Sequence, residues 1–149
     1  RRGRASRQMN AIGLDTNILA RYYVEDAADV ATARQREKAR RLLESGVPLA
    51  VCRSVVLELE WVLRGYYRFS RVQVQVVLRH LLAQPHIRFD DRQVLERALD
   101  SHAAGLDFAD ALHHASYADC ESVASFDDRG FAQRSSKLGL RPPVRLPRG

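Results

Sequence analysis

Ala11-Ile12-Gly13-Leu14-Asp15-Thr16-Asn17-Ile18-Leu19, near the start of the chain, is an apolar run that ends in an acid and two small polar residues. Apolar side chains on both pleat faces suit a buried strand at the centre of a parallel sheet, where helices cover each side. Ligands of open α/β sheets bind just outside the carboxyl ends of such strands. Asp15 therefore stands where an acid could take part in chemistry, while Thr16 and Asn17 are suited to turn the chain and cap a following helix. A second reading of Asp15, as a turn or cap residue alone, stays open on this stretch.

The chain has 149 residues, enough for one domain with a real core. Hydrophobic residues at 46% and charged residues at 28% are ordinary for a soluble globular protein. No run approaches the roughly 18 uncharged apolar residues of a membrane helix, so a cytoplasmic protein is expected. The formal charge is +6. Residues 1–8 (Arg-Arg-Gly-Arg-Ala-Ser-Arg-Gln) read as a vector-derived remnant or a disordered arm, with Met9 the natural start and 9–149 a single domain. Without Arg1, Arg2, Arg4 and Arg7 the balance is 20 basic against 18 acidic residues, a net of +2, which is no strong electrostatic footprint. Cys52 and Cys120 lack metal-ligand spacing and are expected to pack as small buried hydrophobes.

Outward from the opening strand, a helix is expected from about Ala27 to Glu44 with Val30, Ala33, Leu42 and Leu43 inward, stopped by Gly46. Val47–Cys52 reads as a second strand, followed by a helix capped by Ser54 with Val55, Leu59, Val62, Leu63 and Tyr66 toward the core. Ser70 opens another helix to about Ala83. His86–Phe89 is a strand, and Asp90 or Asp91 caps a helix to Ala104, ended by Gly105. A further helix runs from about Asp107 to Ala118, Ser122–Asp127 is a strand ending in acid, and Asp128–Lys137 is a short helix. Strands alternating with helices predict an α/β domain whose mostly parallel sheet is flanked by helices on both faces.

Four acids fall at comparable places: Asp15 and Asp127 at strand ends, Glu58 and Asp110 in the first turns of helices. Such positions can converge in a parallel sheet. Clustered carboxylates repel, which raises their pKa values, and a divalent cation converts the cluster into a favourable site. All-oxygen ligands favour Mg²⁺ or Mn²⁺ over zinc. A metal of that kind activates water and stabilises phosphoryl charge, the chemistry of phosphodiester cleavage.

The same residues carry a resemblance. Leu14-Asp15-Thr16-Asn17, Val56-Leu57-Glu58-Leu59-Glu60-Trp61-Val62-Leu63, Asp107-Phe108-Ala109-Asp110-Ala111-Leu112 and Ser125-Phe126-Asp127 with Phe131 beyond, in this order, resemble the PIN-domain family and in it the VapC-type toxins of bacterial toxin–antitoxin pairs. The resemblance runs from Met9 to about Leu146. It implies a PIN-like three-layer sandwich and a Mg²⁺-dependent endoribonuclease that acts as a toxin on RNA, is inhibited by a cognate antitoxin and is usually a homodimer. Asp15, Glu58, Asp110 and Asp127 match the family's metal-binding, catalytic acids, and Asn17 and Ser125 match small polar positions that support metal or water. Extra acids at Glu60, Asp107 and Asp128 depart from the pattern.

Spacing arbitrates among these. Glu60 and Arg64 are an i,i+4 pair expected on a solvated helix face. Asp107 stands at an N-cap and Asp110 at the third helical position, while Asp128 is the expected cap of the last short helix. His113 and His114 are expected to be structural. Trp61 is expected in the core; the pairs Tyr22-Tyr23 and Tyr66-Tyr67 suit core, dimer or antitoxin contacts equally. Two other readings compete. An Asp15-nucleophile phosphatase is disfavoured by Asn17 where a second acid belongs, and a non-catalytic binding module would keep the acids without turnover.

Overall fold

Each apolar run in the sequence is short, and the strands it forms are correspondingly brief, tied into parallel ladders by intervening helices. The structure is a computed structural model that describes residues 10–25 and 29–149. The arm expected over 1–8 and the start expected at Ala27 for the second helix lie outside the described residues. Two units are distinguished, one up to Asp91 and one from Arg92 to Gly149. Together they hold seven α-helices among the described residues, with every strand pair parallel, so the chain is α/β. None of these helices is long and apolar enough to cross a membrane.

In the first unit β1 (Ile12–Gly13) leads into α1 (Thr16–Tyr23), α2 (Val30–Glu44), β2 (Leu49–Val51), α3 (Arg53–Trp61), α4 (Arg71–Leu82) and β3 (Ile87–Phe89). The strand order is β1-β2-β3, with Ile12 opposite Leu49 and Leu49 opposite Ile87. The central strand of this sheet is β2, not β1. Leu49 and Val51 have a strand on each side and are buried, whereas Ile12 is 47% exposed on a strand paired along one edge in this unit.

Along α2 the inward residues are Ala39 and Leu43; Val30 and Ala33, expected inward, are exposed. Gly46 follows at φ +80°, a conformation that glycine adopts without penalty and that ends the helix as expected. The cap of α3 is not Ser54. Cys52 occupies the N-cap position without a side-chain bond, and the carboxylate of Asp90 reaches from beyond β3 to accept the Arg53 N–H at 3.0 Å. A cap supplied from 37 residues away leaves no local signal.

The apolar face of α3 also differs from expectation: Val56, Leu59 and Leu63 are buried, Val55 is half-buried and Tyr66 is exposed. Val62–Tyr66 is a π-helical turn, whose wider i→i+5 closure breaks the 3.6-residue period and turns Tyr66 outward. Trp61 is 60% exposed instead of core-packed, because it lies two residues and so about 200° around the helix from buried Leu59. Its indole rests 3.8 Å from where a side chain on Gly65 would begin. Ser70 opens α4 as expected, in a reciprocal capping box with Gln73.

The second unit contains α5 (Arg92–Ala103), α6 (Phe108–Ser116), β4 (Val123–Ala124), α7 (Gln133–Lys137) and β5 (Val144–Arg145). Gly105, at φ +117°, turns the chain between α5 and α6, which pack on each other with His102 meeting Phe108 edge-on and Leu95, Leu99 and Leu112 buried. β4 pairs with β5, Val123 opposite Val144. The strand expected over Ser122–Asp127 is only two residues long, since Ser125 Oγ accepts the Asp127 N–H at 3.1 Å and starts a turn. His114 is buried and structural as expected: its Nε2 bonds the Pro142 carbonyl at 2.8 Å, and its ring meets Phe131 edge-on. Cys52 and Cys120 are free thiols, but exposed rather than buried, because both sit where an element starts or a turn crosses the surface.

Candidate active site

Asp15 follows β1 by two residues and caps α1, its Oδ1 accepting the Thr16 N–H at 2.8 Å. One carboxylate oxygen is thus tethered to the backbone and the exposed group keeps the other. Beside it, the Thr16 hydroxyl is buried with no hydrogen-bond partner among the described residues. A buried hydroxyl without a partner costs free energy that a ligand or water would recover. Asn17, one residue further, is exposed.

Glu58 and Glu60 lie on different sides of α3. Glu58 is exposed and projects its carboxylate to solvent. Glu60 is only 2% exposed, and its Oε2 accepts from Arg64 Nε at 2.8 Å. The expected i,i+4 pair exists, but it is not on a solvated face: the acid is inside and only the arginine reaches out. A carboxylate held that way is occupied, which leaves Glu58 as the available acid of this helix.

In the second unit Asp107 caps α6, its Oδ2 accepting the Asp110 N–H at 3.4 Å, as its spacing predicted. Asp110, in the first turn, is half-buried. Burial holds its carboxyl above the usual carboxylate range, and the negative charges of Asp107 and Asp127 push the same way; His113 and Arg134 oppose them. Asp127, not Asp128, caps the following π turn (Asp128–Ala132), with Oδ1 accepting the Gly130 N–H at 2.9 Å. The chain turns one residue earlier than expected, so the strand-end acid and the cap are the same residue. Ser125 supports it through the bond to its N–H. A Cβ on Gly130 would stand 2.6 Å from both carboxylate oxygens of Asp127, so glycine is what lets the acid fold over the turn.

The second unit therefore brings the negative charges of Asp107 and Asp127 to bear on Asp110, and the first unit carries Asp15 and Glu58 on separate elements. Among the described residues no group of three or more His, Cys, Asp or Glu is gathered closely enough to hold a metal by itself. The donors of each unit by itself have the chemistry a hard divalent cation takes: in the second, carboxylate oxygens around a charge-burdened Asp110, and in the first, an unpartnered hydroxyl next to the Asp15 carboxylate. Sequence reading missed Thr16 and Gly130, since an orphan hydroxyl and a steric demand for glycine become visible only with neighbours in place.

Tyr22 and Tyr23 line a first-unit cavity of about 890 Å³ together with Arg40, Val76 and Val77. Tyr23 bonds His80 Nδ1 at 2.8 Å, and burial pushes its phenol up. Tyr67 accepts from Arg21 at 3.3 Å while Tyr66 is exposed.

A family model described as the PIN domain matches residues 12–137. No curated protein matches the chain.

Proposed function

The chain belongs to the PIN-domain family, whose fold is generally a nuclease fold, and on that premise we propose that it is a Mg²⁺- or Mn²⁺-dependent endoribonuclease acting as the toxin of a toxin–antitoxin pair. The observation that carries the reading is the state of Asp110, a half-buried carboxyl under the negative fields of Asp107 and Asp127. That arrangement is unfavourable on its own and becomes favourable when positive charge binds.

Asp15, Glu58, Asp110 and Asp127 would hold the cation, with Asn17, Ser125 and the Thr16 hydroxyl placing water or supporting ligands. A divalent cation held there supplies an activated water and neutralises charge on the scissile phosphoryl group. The protein's own part is orientation. Asp15 and Asp127 each have one oxygen fixed by a helix-cap bond, so each presents the other oxygen in a narrow range of directions. Burial and the neighbouring negative charges of Asp107 and Asp127 make Asp110 hold its proton more readily than an ordinary carboxyl does.

An antitoxin partner and a homodimer belong to the same reading, supported by the sequence resemblance and by the Tyr22–Tyr23 cavity, whose apolar wall and charged rim suit an inserted amphipathic helix. The test is incubation of the chain with single-stranded RNA, with Mn²⁺ and with EDTA. Cleavage that needs the metal and disappears in Asp110→Asn is the expected result; intact RNA under both conditions refutes the activity. Stable RNA binding without cleavage would select a binding module without turnover instead.

A further inference from the structure

Arg129–Gly149, the last 21 residues, contain Arg129, Arg134, Lys137, Arg141, Arg145 and Arg148 and no acid. All six cations are exposed, and none joins an ion pair among the described residues. Apart from Arg134, whose charge acts on Asp110, like charges gathered on a short segment without ion-pair partners repel one another, which an anionic partner relieves. Arg141 and Arg145 line one depression of about 330 Å³. Arg145 is further placed by β5, which pairs it with Ala124, and its carbonyl accepts the Ser125 N–H at 3.0 Å.

The next residue along that turn is Phe126, 86% exposed and immediately before Asp127. Among the described residues no other large hydrophobic side chain is as open to solvent. The backbone bond from Ser125 to Arg145 brings the segment carrying this exposed ring alongside the strand carrying Arg145, and aromatic faces with nearby cations bind single-stranded nucleic acid, bases stacking on the ring and phosphates meeting the cations.

We propose that Phe126, Arg141 and Arg145 form a docking subsite for single-stranded RNA next to Asp127, with Phe126 stacking an unpaired base and the two arginines holding backbone phosphates. The occupant's identity rests on the ribonuclease reading; the binding itself requires neither metal nor turnover. Because β4 and β5 fix Arg145 alongside the strand that leads to Asp127, RNA held here enters the acidic site from the basic segment.

The experiment is fluorescence anisotropy of a labelled single-stranded oligoribonucleotide with the full chain in EDTA, over a range of NaCl concentrations. Wild type should bind, with log K falling linearly in log salt. Arg141→Ala/Arg145→Ala should weaken binding and reduce the slope by about 1.4, at about 0.7 per phosphate contact on a single strand. Phe126→Ala should weaken binding about fivefold or more with the slope unchanged, and Phe126→Trp should restore it. Lys38→Ala, an exposed cation on α2 with no ion pair among the described residues, serves as the charge control and should change little. The proposal is overturned if the double variant behaves like Lys38→Ala, if Phe126→Ala binds as wild type, or if duplex RNA of the same length binds as tightly as the single strand. Wild-type cleavage in Mn²⁺ with unaffected variants would sink this subsite and leave the nuclease reading standing; variant-sensitive binding without cleavage would do the reverse.

Discussion

In the first unit Arg40 pairs with Glu37 and Glu44 along α2 and Arg41 with Glu37, whereas in the second Asp107 and Asp127 press their negative charge on Asp110 and the six cations after Asp128 join no ion pair among the described residues. The pairs on α2 are exposed and contribute little to stability, though Arg40 first and Arg41 next hold the Glu37 carboxyl down to about 2. These charges of α2 are settled within the helix. In the second unit Asp110 is under more negative than positive charge even with His113 and Arg134 opposing, so electrostatic free energy remains for a ligand to recover. Function is expected where a protein tolerates that cost.

The comparison breaks most sharply at Asp110. Asp110→Asn should abolish metal-dependent RNA cleavage, a loss of about a hundredfold or more, while raising the melting temperature at pH 7. The sign follows from its raised folded-state pKa: the folded protein binds the Asp110 proton more tightly than the unfolded chain, so the wild type carries a penalty above that pKa that vanishes in acid. Thermal scans should therefore show the variant's advantage at neutral pH and none below the ordinary carboxylate range. An Asp110→Asn protein that is less stable at pH 7 would mean the carboxylate is favourably paired and the contrast between the units is false.

Next in size is the interior acid of the first unit. Arg64→Ala strands the buried Glu60 carboxylate and should cost about 1–3 kcal/mol by urea denaturation. Glu58→Gln should leave the midpoint unmoved and remove cleavage. Reversal of the two outcomes would make Glu60 the functional acid. A smaller effect is expected at the cap: Asp107→Ala should lose about 1 kcal/mol and retain cleavage, because its oxygen bonds the first turn of α6. The smallest effect belongs to α2. Glu37 has a depressed pKa, so its pairing is fully present above the ordinary carboxylate value and is lost as pH falls through about 2. Circular dichroism should register a slight loss of helix signal there, suppressed in Glu37→Gln.

The α/β class and the positions of α4, β3, α5 and α6 were legible because each is announced by local chemistry: Ser70 with Gln73, Gly105 in a left-handed turn, Asp107 ahead of an apolar run. The misreadings share a cause. Asp90 capping α3, the π turn that rotates Tyr66 outward, and β2 rather than β1 at the sheet's centre all depend on contacts or helix geometry that a 3.6-residue or two-residue period does not encode. Of the candidate site, the acids of the second unit were readable by spacing, including the division of labour between Asp107 and Asp110. Which of Asp127 and Asp128 caps the turn was not, since one residue of strand length decides it.

Gly130 gives the site a property that is neither charge nor hydrogen bonding. Because a methyl group there and the Asp127 carboxylate claim the same volume, the two positions are thermodynamically coupled. Gly130→Ala in the wild-type background has to swing the acid off its turn, whereas in an Asp127→Ala background the same methyl enters vacated space. A double-mutant cycle should therefore be strongly non-additive, and substitutions tolerated at position 130 depend on what position 127 has already become.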